Sequence, residues 1–288
     1  MATITVGPMR AARPARAVNT LVVVAATAPF ATLVLQAFAD RLHGRSVVPQ
    51  ELGTRGVRAL WDDPILVDAI MGSLVVGVAV ALVAVAVAWP AARYLATTRS
   101  RVGWVVLAAP VLLPPLVLGD GLAPWLLEVG LGGRTAIAVA HLPIAIPYAA
   151  LALAPGFGAD LDELDHTAAM LGATPSERLR HVVVPAARAH VLLALALAFT
   201  VSWSQYAISL TVGGGTPMLP LVLVPYVRSD PQIAAALALV FLVPPAVALM
   251  SASGAAGHRR AHRRVRTAEP TMATPTTTND PTKATLVG

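Results

Sequence analysis

AIMGSLVVGVAVALVAVAVAWPAA, residues 69–92, decides the fold class. It contains no Asp, Glu, Lys or Arg and no polar residue alternating with the apolar ones. A helix that crosses the hydrocarbon core of a bilayer needs about 20 mostly apolar residues, whereas a barrel strand needs about 10 with in/out alternation. A continuous run rich in Ala, Val and Leu therefore reads as a spanning helix. Other runs free of charged residues lie on either side: Ala17–Ala39, Val102–Gly119, Thr135–Ala159, Ala189–Val227 and Pro231–Gly257. The third is short and rich in proline (Pro110, Pro114, Pro115), and the fourth contains Pro143 and Pro147. The fifth is long enough for one span plus a re-entrant or loop-like segment, because Gly213-Gly214-Gly215-Thr216-Pro217 interrupts it.

Composition agrees with this reading. Of 288 residues, 56% are hydrophobic and 12% charged, with mean hydropathy +0.70. Soluble domains carry about 25% charged residues, so an ordinary soluble enzyme and a largely disordered protein are both excluded. The net charge of +6 and pI near 10.7 do not call for nucleic acid as a partner. Membrane proteins run basic because Lys and Arg collect on the cytoplasmic side. The chain has no cysteine, hence no disulfide and no thiol chemistry. The basic start, Met1–Arg16, precedes an apolar run too long for a signal-peptide core, so a retained first span is expected.

The expected fold is all-α: a polytopic membrane protein of six transmembrane helices with both termini cytoplasmic. Residues 1–16 form a cytoplasmic segment, 17–257 the membrane domain with an inside loop at about 160–188, and 258–288 a basic, then disordered tail. On this topology fifteen of the 21 Lys and Arg residues lie inside, as the positive-inside rule requires. The first outside loop, Asp40–Pro64, is unusually rich in Arg, so a five-span or re-entrant variant stays open. Arg259–Arg266 reads as a stop-transfer cluster or a lipid-headgroup contact, and the Thr/Pro-rich residues beyond it as disordered.

The longest inside loop, Asp160–Arg188, carries the functional information. Leu161, Leu164, Ala168 and Leu171 recur at helical spacing, and Gly172 breaks the helix. Thr174-Pro175-Ser176-Glu177 reads as a second helix start, with Thr174 as N-cap, Pro175 at the first position and Glu177 three residues on. The second helix is expected to run to Val184 and meet Pro185. Two short helices joined at a glycine turn offer an element that a soluble partner can grip in a groove; a lipid-surface anchor is the alternative.

His166-Thr167-Ala168-Ala169-Met170-Leu171-Gly172-Ala173-Thr174-Pro175, followed by Val182-Val183-Val184-Pro185, resembles the coupling loop of permease subunits from binding-protein-dependent ABC importers. That pattern is Glu-Ala-Ala, three residues, Gly, nine residues, Ile-x-Leu-Pro, and the spacing is preserved here. His166 stands for the family's Glu, Thr167 for its first Ala, and Val182 and Val184 for Ile and Leu. Residues 88–95, His141-Leu142-Pro143, Pro147-Tyr148 and Ser202–Tyr206 with Gly213–Pro217 resemble the flanking spans, so the likeness covers roughly 66–252. It implies a type I importer of the methionine-importer-like transmembrane fold, in the inner (plasma) membrane. In such a system this chain forms half of the pathway. A second permease, homologous or identical, completes it, separate ATPase subunits bind ATP and Mg, and a substrate-binding protein delivers cargo from outside. The implied coupling residues are His166, Thr167, Ala168, Met170, Leu171, Gly172, Ala173 and Pro175. The polyamine, thiamine and ferric-ion branch is the most similar, with the sugar branch as the alternative.

No P-loop, His-Glu-x-x-His or Gly-x-Ser-x-Gly is present, so no catalytic residue, resident metal or cofactor is expected in the chain itself. His141, inside a span, is either a ligand or proton carrier or, as is commoner, hydrogen-bonded to a neighbouring helix. Asp68 and Asp120 lie near span ends, and Asp120 is a candidate for the translocation path. Ser202, Ser204, Gln205 and Tyr206 form a polar knot that serves either helix–helix bonding or the path. A stand-alone secondary transporter or channel would show more intramembrane ionisable residues.

Overall fold

The computed structural model describes the backbone of residues 12–41 and 51–267 and the side chains of 18–40, 51–159 and 161–252. The expected N-terminal segment up to residue 11 and the expected disordered tail beyond 267 lie outside the described residues. Five helices are long and apolar enough to cross a membrane, and a sixth span results if one sharply bent pair is counted as one. The chain is an all-α polytopic membrane protein. Its elements are α1 (Ala12–Ala37), a small hairpin β1 (Ala39–Arg41) and β2 (Glu51–Leu52), α2 (Arg55–Asp62), α3 (Pro64–Thr98), α4 (Arg101–Leu112), α5 (Pro115–Glu128) and α6 (Gly133–Leu153). Then follow α7 (Ala159–Met170), α8 (Pro175–Arg178), α9 (Val184–Trp203), α10 (Tyr206–Val212), α11 (Leu219–Ser229) and α12 (Pro231–Thr267).

The core is the packing of α3, α6, α9 and α12. Along α3 the buried positions Ala69, Ser73, Val76, Val80, Ala84, Ala88 and Ala92 recur every three or four residues, and most are small. Lipid is as apolar as the core, so helix association rests on close van der Waals packing, which small residues permit. Gly77 shows how close: a Cβ there would stand 2.9 Å from the ring of Phe199 on α9. Helix α1 packs on α12 and is mostly exposed over its spanning stretch, with Ala37 at its end buried.

Two sequence expectations are corrected. The third run, Val102–Gly119, is not one straight span: α4 and α5 meet at 90°. Leu113 (ψ 140°) and Pro114 (ψ 130°), each preceding a proline, are both extended, because a following proline disfavours the helical region. The dipeptide Pro244-Pro245 stays helical in α12, where α9 packs alongside, whereas α4 buries no residue that could hold it straight. Second, the helix after the loop does not stop at Pro185. A π-helical turn, Leu179–Val183, carries α8 into α9, giving one stretch from Pro175 to Trp203; such a turn accommodates a residue that cannot donate to the regular ladder. The backbone of α12 remains helical past the charge-free run, through the arginine cluster to Thr267.

Polar contacts mark two ends. At one, the start of α3 meets the start of α6 through Asp68–Arg134 (2.6 Å), and Arg55 pairs with Asp230 at the α11–α12 junction. At the other, Arg93 near the end of α3 meets Asp162 and Asp165 of α7, and Asp165 also holds Arg178 of α8. Helices α3, α6 and α12 thus run from the first end to the second, and α9 returns.

Candidate functional site: the coupling loop and its braces

Helix α7 ends in a Schellman turn. Ala173 N–H donates to the carbonyl of Ala168 (3.1 Å), Gly172 N–H to that of Ala169 (3.0 Å), and Gly172 takes φ +87°. The next helix opens as its sequence predicts. Thr174 Oγ1 accepts from Glu177 N–H (3.4 Å), while the Glu177 carboxylate accepts from Thr174 N–H (2.9 Å) and Thr174 Oγ1–H (2.8 Å), a capping box with Pro175 at the first position. These bonds from Thr174 hold the Glu177 carboxyl below the ordinary carboxylate range.

Between the two helices the apolar tip is bare. Met170 is 89% and Leu171 84% exposed, and Leu164 and Leu179 are also exposed. The expected amphipathic stripe is therefore corrected. Leu161 is buried, but Leu164 and Leu171 face outward, and the inward face of α7 is completed by Asp165 and, half-buried, Ala168. Among the implied coupling residues, His166 and Thr167 are exposed, with Thr167 Oγ1 donating to the Glu163 carbonyl (2.8 Å). Ala173 is half-buried and Pro175 exposed.

Asp165 was not singled out in the sequence, yet it is the loop's fixed point. Its side chain is 10% exposed, and it pairs with Arg93 of α3 (2.9 Å) and Arg178 of α8 (3.6 Å), while Asp162 stands 3.9 Å from Arg93. The sequence stripe ran through Leu164 instead, so nothing in it set Asp165 apart from the loop's other carboxylates. The arginine, 72 positions earlier, was not legible as its partner.

The intramembrane polar residues separate into two groups. His141 is fully buried, with Nδ1 2.9 Å from Ser202 Oγ and Nε2 3.2 Å from Ser209 Oγ. Ser209 Oγ–H donates to the Gln205 carbonyl (2.6 Å), so it accepts from Nε2–H. His141 thus binds α6 to α9 and α10, which is the commoner of the two alternatives. Ser204, Gln205 and Tyr206 are not inside a span: α9 ends at Trp203 and α10 starts at Tyr206. Ser204 and Tyr206 are exposed and Gln205 half-exposed. Asp120 is exposed on α5, beside the buried Gly119 that packs on α10, and its carboxylate has no ion pair or hydrogen bond among the described residues. Asp68 is paired with Arg134. At the end remote from α7, an open cleft of about 810 Å³ is lined by Asp40, Thr54, Arg55, Arg58, Asp62 and Asp63.

A bundle of apolar spans, one of them sharply bent, carrying a two-helix loop with an exposed apolar tip, is the architecture of a multi-pass membrane protein. The chain belongs to the family described as binding-protein-dependent transport system inner membrane component, whose model matches residues 4–267. It is the inner-membrane permease component of a binding-protein-dependent ABC transport system, a class of component that is in general non-catalytic. Comparison with curated proteins gave no match.

Proposed function

We propose that this permease imports a small cationic solute, with polyamine, thiamine and ferric ion as the classes to test, and that it is driven by separate ATPase subunits gripping the α7–α8 loop. The reading rests above all on Met170 and Leu171, two large apolar side chains exposed at a turn that the Schellman bonds and the capping box hold in one conformation. Such a tip suits a groove in a soluble partner. On this reading the loop and both termini are cytoplasmic, ATP and Mg are held by the partner, a second permease copy or homologue completes the path, and a substrate-binding protein docks at the opposite end. The unpaired Asp120 supports a cationic cargo, because a carboxylate on an otherwise apolar membrane helix is costly without a counter-charge or water. This chain contributes a path and a lever, and no covalent step.

Met170→Glu combined with Leu171→Glu tests the reading. The variant should insert normally, lose co-purification with the ATPase and lose uptake. Full ATPase retention at normal expression would overturn it.

A further inference from the structure

We propose that α3 is the rod that carries movement of the α7–α8 loop to the opposite end of the molecule, with Trp89 and Arg93 as its positioning residues. The proposal rests on the coupling role argued above.

Trp89 and Arg93 are four residues apart and share one face of α3. The Trp89 ring meets Phe157 edge-on, at 5.0 Å between centroids and 85° between planes. Arg93 meets Asp165 and Asp162. Phe157 sits two residues before α7 begins and Asp165 at its middle, so one face of α3 grips the loop at two points, one apolar and one ionic. Asp165 also takes Arg178, beyond the glycine turn. Both helices of the loop are therefore tied to Arg93 through one mostly buried carboxylate. Pulling the loop away from α3 would strand that carboxylate, and a buried charge without its partner is costly.

The grip has a use because α3 is continuous. It has 35 residues, about 50 Å at the helical rise. Its far end holds α11 and the start of α6. Ser73 Oγ, buried, accepts from Leu219 N–H (2.8 Å), the first amide of α11, whose own N-cap residue Met218 supplies no side-chain bond. Asp68 pairs with Arg134 at the start of α6, and Tyr226 of α11 donates to Asp63 (3.3 Å), the residue that caps α3. Helix α11 and the Gly213–Pro217 turn before it thus hang from α3. A shift of the loop reaches them along one helix that stays unbroken from Pro64 to Thr98, with Pro90 inside it costing a single ladder bond.

The experiment compares Arg93→Gln, Asp165→Asn, their double variant, Arg93→Lys and Ser73→Ala, with Met170→Glu/Leu171→Glu as control. All are reconstituted with the ATPase and binding protein in proteoliposomes, and three quantities are read: ATPase co-purification, ATP hydrolysis, and uptake per ATP hydrolysed. Arg93→Gln and Asp165→Asn should keep the ATPase bound and hydrolysing, while uptake per ATP falls about tenfold, the change that ~1.4 kcal/mol of lost coupling produces. The double variant should be no worse than either single, because both remove one link. Arg93→Lys should recover much of the loss, and Ser73→Ala should show the same uncoupling from the far end. Unchanged uptake per ATP in Arg93→Gln and Asp165→Asn would overturn the proposal. So would loss of ATPase co-purification in those two, which would make the brace a docking scaffold. Failure of the underlying coupling reading shows separately, as a control variant that still binds the ATPase.

Discussion

Trp203→Phe should destabilise the protein through a carbonyl 38 residues away. In α12 the carbonyl of Phe241 would normally accept from residue 245, but that residue is Pro245 and has no N–H. Trp203 Nε1–H supplies the missing bond at 2.8 Å. The indole is 2% exposed, stacked on Phe199 at 5.5 Å, and tilted against Phe241 at 6.0 Å. Phenylalanine keeps most of the ring contact and removes the donor. A buried acceptor left unpaired costs about 1–3 kcal/mol. Hydrogen bonds between membrane helices average only ~0.6 kcal/mol because partners are often replaceable, but here the helix offers none. With the small void left by the lost ring, a total of about 2 kcal/mol is expected. At roughly 2–4 °C per kcal/mol this lowers Tm by about 4–8 °C, measured by circular dichroism in mild detergent. Pro245→Ala returns an N–H to the Phe241 carbonyl, so in that background Trp203→Phe should lose most of its effect. A full penalty in both backgrounds would refute the reasoning, as would no penalty in either.

Gly172 holds φ +87° with open space where a Cβ would point, so Gly172→Val meets backbone strain alone, on the order of 1–2 kcal/mol; insertion should be normal, while ATPase co-purification weakens and uptake fails. The Glu177 carboxyl lies below its ordinary value of 4.5 because of its bonds from Thr174, so its share of the cap is complete above that value and is lost as pH falls through the lower, folded one. Proteolysis of the loop should therefore speed up only in acid, and Glu177→Gln should flatten that dependence. Since the chain lacks cysteine, Thr54→Cys should react with an impermeant maleimide from outside intact cells and Thr274→Cys should not; the reverse pattern would invert the topology.

The spans were legible because charge-free runs are long and the cost of a buried charge is high. The loop was legible because Gly172, Thr174, Pro175 and Glu177 act locally, through φ and through bonds three residues long. What escaped the sequence depends on distant partners. Pro114-Pro115 and Pro244-Pro245 are the same dipeptide, yet one marks a right-angle break and the other lies inside a helix, according to what packs beside them. Pro185 reads as a stop and is passed by a π turn. Asp165 reads as one more loop carboxylate until Arg93 and Arg178 are placed against it. The polar knot at 202–206 divides because α9 ends within it: Ser202 turns inward to His141, and Ser204 and Tyr206 stay exposed.

The account stands on transport that needs ATP hydrolysed by another subunit. The direct measurement is uptake of labelled polyamine, thiamine or ferric ion into proteoliposomes holding this chain with its ATPase and binding protein, with ATP present or absent and with ion gradients imposed or collapsed. Uptake that requires ATP and the binding protein, survives collapse of every gradient and disappears with Met170→Glu/Leu171→Glu is the predicted result. Uptake by this chain alone, driven by a gradient and indifferent to ATP, would contradict it.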